Sequence, residues 1–215
     1  MLEFIALAQQ CAPTVAPQTM AAIVNVESSY NPYAIGVVKG RLQRQPKSIQ
    51  EAVATAKALA AAGWNFSIGI AQVNRYNLPK YNLTYEQGFE PCSNLWAGSK
   101  ILEGCFIRAD NNQRTQQEAL KAAISCYYSN NFTRGFKPDV RGKPSYVEKV
   151  VASAEEPIRV IPVVPAIQTT KTKPQPKPEP PTTEPPVQLK KLPSTEGSQD
   201  ELQQENTKQD DVVVF

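Results

Sequence analysis

Glu27 is a carboxylate set among apolar residues at helical spacing. Met20, Ile23 and Val24 share its face of a helix running through QTMAAIVNVESSY, and Ala22 and Val26 make a second face apolar. Burial beside apolar groups raises a carboxyl pKa and keeps it protonated near neutral pH, which is the condition for a general acid. The plainer alternative is a pair with a nearby Arg or Lys, or escape to solvent past the helix end. The chain has no histidine. That excludes Ser-His-Asp and Cys-His catalysis and every metal site that needs imidazole. Proton transfer then falls to Glu, Asp, Lys, Tyr or Cys.

Four short strings occur in order along the chain: E-S-S-Y-N-P-Y-A at 27–34, S-I-G-I-A-Q-V-N at 67–74, S-C-Y-Y-S-N-N at 125–131 and S-Y-V-E-K-V at 145–150. In order and type they resemble the lytic transglycosylases related to the catalytic domain of soluble lytic transglycosylase. That family shows Glu-Ser with Asn-Pro-x-Ala, then Gly-Leu-Met-Gln, Ala-Tyr-Asn-Ala-Gly and Tyr-Val-x-Lys-Val. The long stretch between Pro32 and Gly69, GIAQVNRYNL, FEPCSNLWAG, CYYSNN and a Pro-rich tail make the VirB1 branch the nearest, the lytic transglycosylases of type IV secretion systems. The resemblance covers residues 1–156.

Carried over, it implies that Glu27 is the catalytic acid/base and that Ser28 helps hold its carboxyl or the substrate. Gln72 is implied to line the cleft and hydrogen-bond a sugar or its N-acetyl group. Tyr127 is implied to hydrogen-bond the catalytic glutamate, with Tyr146 near the same site. Ile70-Ala71 replace Leu-Met, and Tyr128 and Asn130 stand where Asn and Gly are usual. Asn is the best non-glycine residue for a left-handed turn.

The implied reaction cleaves the β-1,4 bond between N-acetylmuramic acid and N-acetylglucosamine in peptidoglycan, with a 1,6-anhydro product and no cofactor or metal. The partners implied are glycan strands and other type IV secretion components, the latter through the C-terminal tail, in the periplasm. A lysozyme-type hydrolase on the same fold would need a second carboxylate near Glu27, such as Glu86 or Glu90. A non-catalytic glycan-binding assembly factor would not need Glu27, Gln72 and Tyr127 together.

The elements that must position these residues read as helices. Pro17 opens one that ends before Asn31-Pro32. Ser48 and Glu51 form an S-x-x-E box ahead of AVATAKALAAA, with Gly63 at the C′ position. Thr115 with Glu118 and Ser145 with Glu148 repeat the box. Leu95, Trp96, Ile101, Leu102, Cys105 and Phe106 recur at roughly helical periods, which places Trp96 in the core. Residues 64–74 alternate and read as a short strand or hairpin. The start, MLEFIALAQQCAP, lacks the basic region of a secretion signal and reads equally as a first helix. Tyr76, Tyr81, Tyr85 and Phe89 either stack on sugars or pack against the helices. The expected fold is mainly α, a lysozyme-like helical domain with a small β-hairpin and a disordered Pro-rich tail.

Composition sets the boundaries. Of 19 prolines in 215 residues, 11 fall within 157–215, where the one aromatic is Phe215. The division is a domain at 1–156, a Pro-rich linker at 157–193 and a disordered acidic end at 194–215. Residues 1–156 carry 16 basic and 12 acidic side chains with no run of one sign, which argues against nucleic-acid binding. Lys39, Arg41, Arg44 and Lys47 make a basic loop, a solvated one or one attracted to acidic wall polymers. No stretch approaches the ~20 apolar residues of a membrane helix. Cys11, Cys92, Cys105 and Cys126 are buried thiols or disulfides, with three full pairings open.

Overall fold

The computed structural model describes residues 2–110, 114–155 and 185–191. Most of the expected linker and all of the acidic end at 194–215 lie outside the described residues. The helices are α1 (Leu2–Cys11), α2 (Pro17–Ser28), α3 (Ile49–Ala61), α4 (Tyr85–Phe89), α5 (Pro91–Ala109), α6 (Gln116–Ser129) and α7 (Tyr146–Glu155). The strands are β1 (Ile35–Val37), β2 (Gly40–Leu42), β3 (Phe66–Ile68), β4 (Val73–Asn74) and β5 (Leu189–Lys191).

The caps explain most helix boundaries. Pro17 sits in the first turn of α2, where its missing N–H is no loss. The same helix stops because Ser29 and Tyr30 both turn left-handed, at φ 52° and 64°. Reciprocal capping boxes open α6, through Thr115 and Glu118, and α7, through Ser145 and Glu148. At α3 the box is only half made. Ser48 accepts from the Glu51 N–H, but the Glu51 carboxylate turns to the Lys47 N–H and the Arg44 guanidinium. The α3 end matches its Gly signal, with Gly63 at φ 76° and the Trp64 N–H returning to the Leu59 carbonyl.

Helix α5 runs through the core, burying Leu95, Ile101, Leu102 and Cys105, while α2 contributes Met20, Ile23 and Val24. Gly98 is required there. A Cβ on it would lie 2.7 Å from the Ala71 Cβ and 3.1 Å from the Tyr127 hydroxyl, so only glycine lets α5 approach both. Trp96 departs from the expected core position and is 39% exposed. One residue round the helix from Leu95, it meets the Tyr81 ring edge-on at 5.7 Å. Of the three open cysteine pairings, the chain adopts Cys11–Cys92, tying α1 to the start of α5, and Cys105–Cys126, tying α5 to α6.

The hairpin expected within 64–74 is β3–β4, and β1 adds antiparallel to β3 with Ile35 opposite Ile68. Strand β2 pairs instead with β5, Leu42 opposite Leu189. The stretch read as linker therefore contains a segment that packs back on the domain, with Val187 and Leu189 against its core. Helical content dominates, as expected. Among the described residues, no helix is long and apolar enough to cross a membrane.

Candidate active site

Glu27 occupies the last turn of α2, and the two residues after Ser28 keep that turn open. Both left-handed, they swing the backbone away, so the Glu27 carboxyl faces a cleft of about 310 Å³. Gln72, Tyr128, Asp139, Tyr146 and Lys149 line the same cleft. Burial raises the Glu27 pKa from 4.5 to about 7, opposed in part by the hydrogen bond it accepts from Tyr146. That bond is 2.5 Å from the Tyr146 hydroxyl to Oε1. Burial and the adjacent carboxylate push the Tyr146 hydroxyl well above its usual range, so it remains a donor.

The tyrosine assignment differs from the one carried over by resemblance. Tyr127 does not bond Glu27; its hydroxyl donates to the Ala71 carbonyl at 2.5 Å, and the side chain is buried. The partner of Glu27 is Tyr146, from the first turn of α7. The next residue of α6, Tyr128, faces the cleft. Its ring stacks on Tyr146 with centroids 4.6 Å apart and planes 15° from parallel. Its hydroxyl donates to Asp139 at 2.8 Å, and Arg134 holds the same carboxylate oxygen at 2.6 Å.

Ser28 and Gln72 reach the site by different means. The Ser28 hydroxyl donates to the Ile70 carbonyl at 2.7 Å, pinning the end of α2 to the β3–β4 turn. Gln72, at φ 49°, donates its amide nitrogen to the Ala34 and Gly69 carbonyls. What it can offer a ligand is therefore its carbonyl oxygen. The turn is set by Asn94, fully buried on α5, which donates to the Ile68 and Gly88 carbonyls and accepts from the Ala71 N–H. Gly69, at φ 78°, passes so close that a Cβ would sit 2.7 Å from the Gly88 oxygen.

The two carboxylates that a hydrolase reading would call on, Glu86 and Glu90, are engaged elsewhere. Glu86 pairs with Lys57 at 2.8 Å, and Glu90 caps α5 through the Cys92 and Ser93 N–H groups. Sequence reasoning missed Asp139, which lies in an irregular bend with no periodic signal. It also left Lys149 without a role, although the late Tyr-Val-x-Lys-Val string contained it. Of the aromatic residues considered for sugar stacking, Phe89 is buried and Tyr85 stacks on Phe66. Tyr76 remains exposed, with Arg75 over its ring.

Residues 4–129 match the Transglycosylase SLT domain. The type IV secretion system protein virB1 of Brucella suis biovar 1 is 65% identical over 171 residues, which is 79% of this chain and 71% of that protein. The protein of the same name from Brucella abortus biovar 1 gives the same identity and coverage. Protein virB1 of Agrobacterium fabrum is 32% identical over 155 residues, 72% of this chain and 60% of that protein. No solved structure gives a significant match. The domain match ends at the close of α6, so Tyr146 on α7 completes the cleft from outside it. With the match spanning more than half the chain, and with these relatives, the chain belongs to the lysozyme-like Transglycosylase SLT domain family, as a lytic transglycosylase of the type IV secretion kind.

Proposed function

We propose that Glu27 is the single carboxyl that cleaves the β-1,4 bond between N-acetylmuramic acid and N-acetylglucosamine in peptidoglycan. The protonated acid gives its proton to the glycosidic oxygen as the C1–O bond breaks. The resulting carboxylate takes the proton of the muramoyl C6 hydroxyl, whose oxygen closes on C1. The product is a 1,6-anhydro end, and the acid is regenerated. Intramolecular attack has a high effective molarity, so no second protein carboxylate is needed.

The observation that carries this reading is the Glu27 carboxyl itself, raised to about 7 at the floor of an open cleft and hydrogen-bonded to Tyr146. A pKa raised towards neutrality suits a group that first gives a proton and then takes one back. Asp139 lines the same cleft but is bonded to Tyr128 and Arg134, a poor state for activating water. Gln72 presents its carbonyl to an N-acetyl N–H, while Ser28 positions the end of α2.

The catalytic unit runs over residues 1–156, and its work is local opening of the wall for a secretion apparatus. Two disulfides favour an oxidising compartment, which supports a periplasmic location. Other type IV secretion components are the proposed partners of the C-terminal tail. The test is mass spectrometry of products released from purified peptidoglycan. Anhydromuramoyl ends from wild type and none from Glu27→Gln support the reading; reducing ends would replace it with hydrolysis.

A further inference from the structure

Strand β2 has one ladder partner among the described residues, and that partner comes from the far end of the chain. Gly40, Arg41 and Leu42 oppose Lys191, Lys190 and Leu189. Beyond the ladder, the Gln43 N–H donates to the Gln188 carbonyl at 3.0 Å. The Val187 N–H donates to the Thr55 hydroxyl at 2.9 Å, and Thr55 is fully buried on α3. Val187 and Leu189 alternate inward while Gln188 and Lys190 face solvent, the two-residue period of a strand with one buried face. Leu189 packs where Gly40 lacks a side chain, beside Trp64 and Val37. These contacts describe a receptor for an extended segment. It provides backbone pairing, a buried hydroxyl acceptor and room for two alternate apolar side chains.

The occupant fits this receptor poorly in one respect. Arg41 and Lys190 stand directly opposite, both exposed, and like charges in that relation are destabilising. Lys39 adds a further positive charge at the turn before β2, and residues 33–46 contain no acid to offset it.

From the ladder, the apolar alternation and the charge mismatch, we propose that the β2 edge is a strand-accepting site for a partner protein. The partner segment is extended, apolar at two alternate positions and acidic where it faces Arg41. Residues 185–191 are the weaker occupant, holding the edge until that segment displaces them.

Fluorescence anisotropy with the full chain tests this, using two labelled heptapeptides. One has the strap's own sequence, PPVQLKK; the other carries glutamates in place of its two lysines. The acidic peptide is expected to bind about fivefold more tightly at low salt. The gap should close towards about 0.5 M salt, where exposed charges are screened. Arg41→Glu should invert the order. Leu189→Asp, which unseats the strap, should speed hydrogen exchange at the Gln43 amide and raise affinity for the acidic peptide. Equal affinities in wild type and Arg41→Glu overturn the proposal. So does an unchanged Gln43 amide in Leu189→Asp, or an exposed one to which the acidic peptide fails to bind.

Discussion

The hydroxyl of Tyr146 donates to Glu27 at 2.5 Å across 119 positions of sequence, joining the last turn of one helix to the first turn of another. The bond favours the ionised carboxylate and opposes the larger effect of burial. The balance of these two effects sets the proton affinity of the proposed acid.

Glu27 is therefore expected to leave its mark on stability as well as on rate. Its pKa rises from 4.5 to about 7 on folding, so the folded chain holds that proton more tightly than the unfolded one. The associated stability is fully present below about 4.5 and is lost as pH climbs through about 7. Glu27→Gln should match wild type near pH 4 and exceed it at pH 8 by about 1–3 kcal/mol. Cleavage should fall at least about 100-fold. Denaturant melts at the two pH values check the first expectation; equal midpoints at pH 8 would refute the desolvated carboxyl.

Tyr146→Phe keeps the ring and removes the donor. The Glu27 pKa should then rise further, moving the basic limb of kcat/KM upward by about one unit. A pH–rate profile with an unmoved limb would show that the bond does not tune the acid.

How much of the fold and site was legible in the sequence varied with the kind of signal. Glu27 was readable because an apolar helix face and a Ser-Ser-Tyr-Asn-Pro run after it are both local patterns. The openings of α6 and α7 were readable for the same reason, since a capping box is written in four residues. Tyr127 and Tyr128 were not separable: they lie about 100° apart on one helix, and which of them faces the cleft depends on how α6 sits against Ala71 and α7. Strands β1 and β2 are too short, at three residues each, to show a period. Strand β5 was hidden in a Pro-rich composition that reads as spacer. Asp139 had no pattern at all, being placed by Arg134 and Tyr128.

Asp139→Asn tests that placement. Weakening the hold on Tyr128 should loosen the ring stacked on Tyr146 and slow cleavage by about 3- to 10-fold. The products should keep their anhydro ends. Loss of reducing ends in the variant, had wild type produced them, would instead identify Asp139 as a water-activating base.

Asn94→Ala removes three hydrogen bonds and leaves their backbone partners unpaired in the core. A loss of about 3 kcal/mol is expected, measured as a shift in the unfolding midpoint. A change below about 1 kcal/mol would mean that the β3–β4 turn holds its shape unaided.

The bridges close loops of 81 and 21 residues. Chain entropy assigns them roughly 4.5 and roughly 3.3 kcal/mol. Replacing Cys11 and Cys92 together by Ala should accordingly cost more stability than replacing Cys105 and Cys126. The reverse order in calorimetry would count against the chain-entropy account for this fold.

The cleft draws its acid from near the start of the chain and that acid's hydrogen-bond donor from near the end of the helical body. During synthesis the residues of α2 are made long before those of α7. Until Tyr146 arrives, Glu27 has neither its donor nor the stacked ring pair beside it. A chain that ends before α7 therefore carries the Glu27 carboxyl without the donor and the stacked rings that surround it.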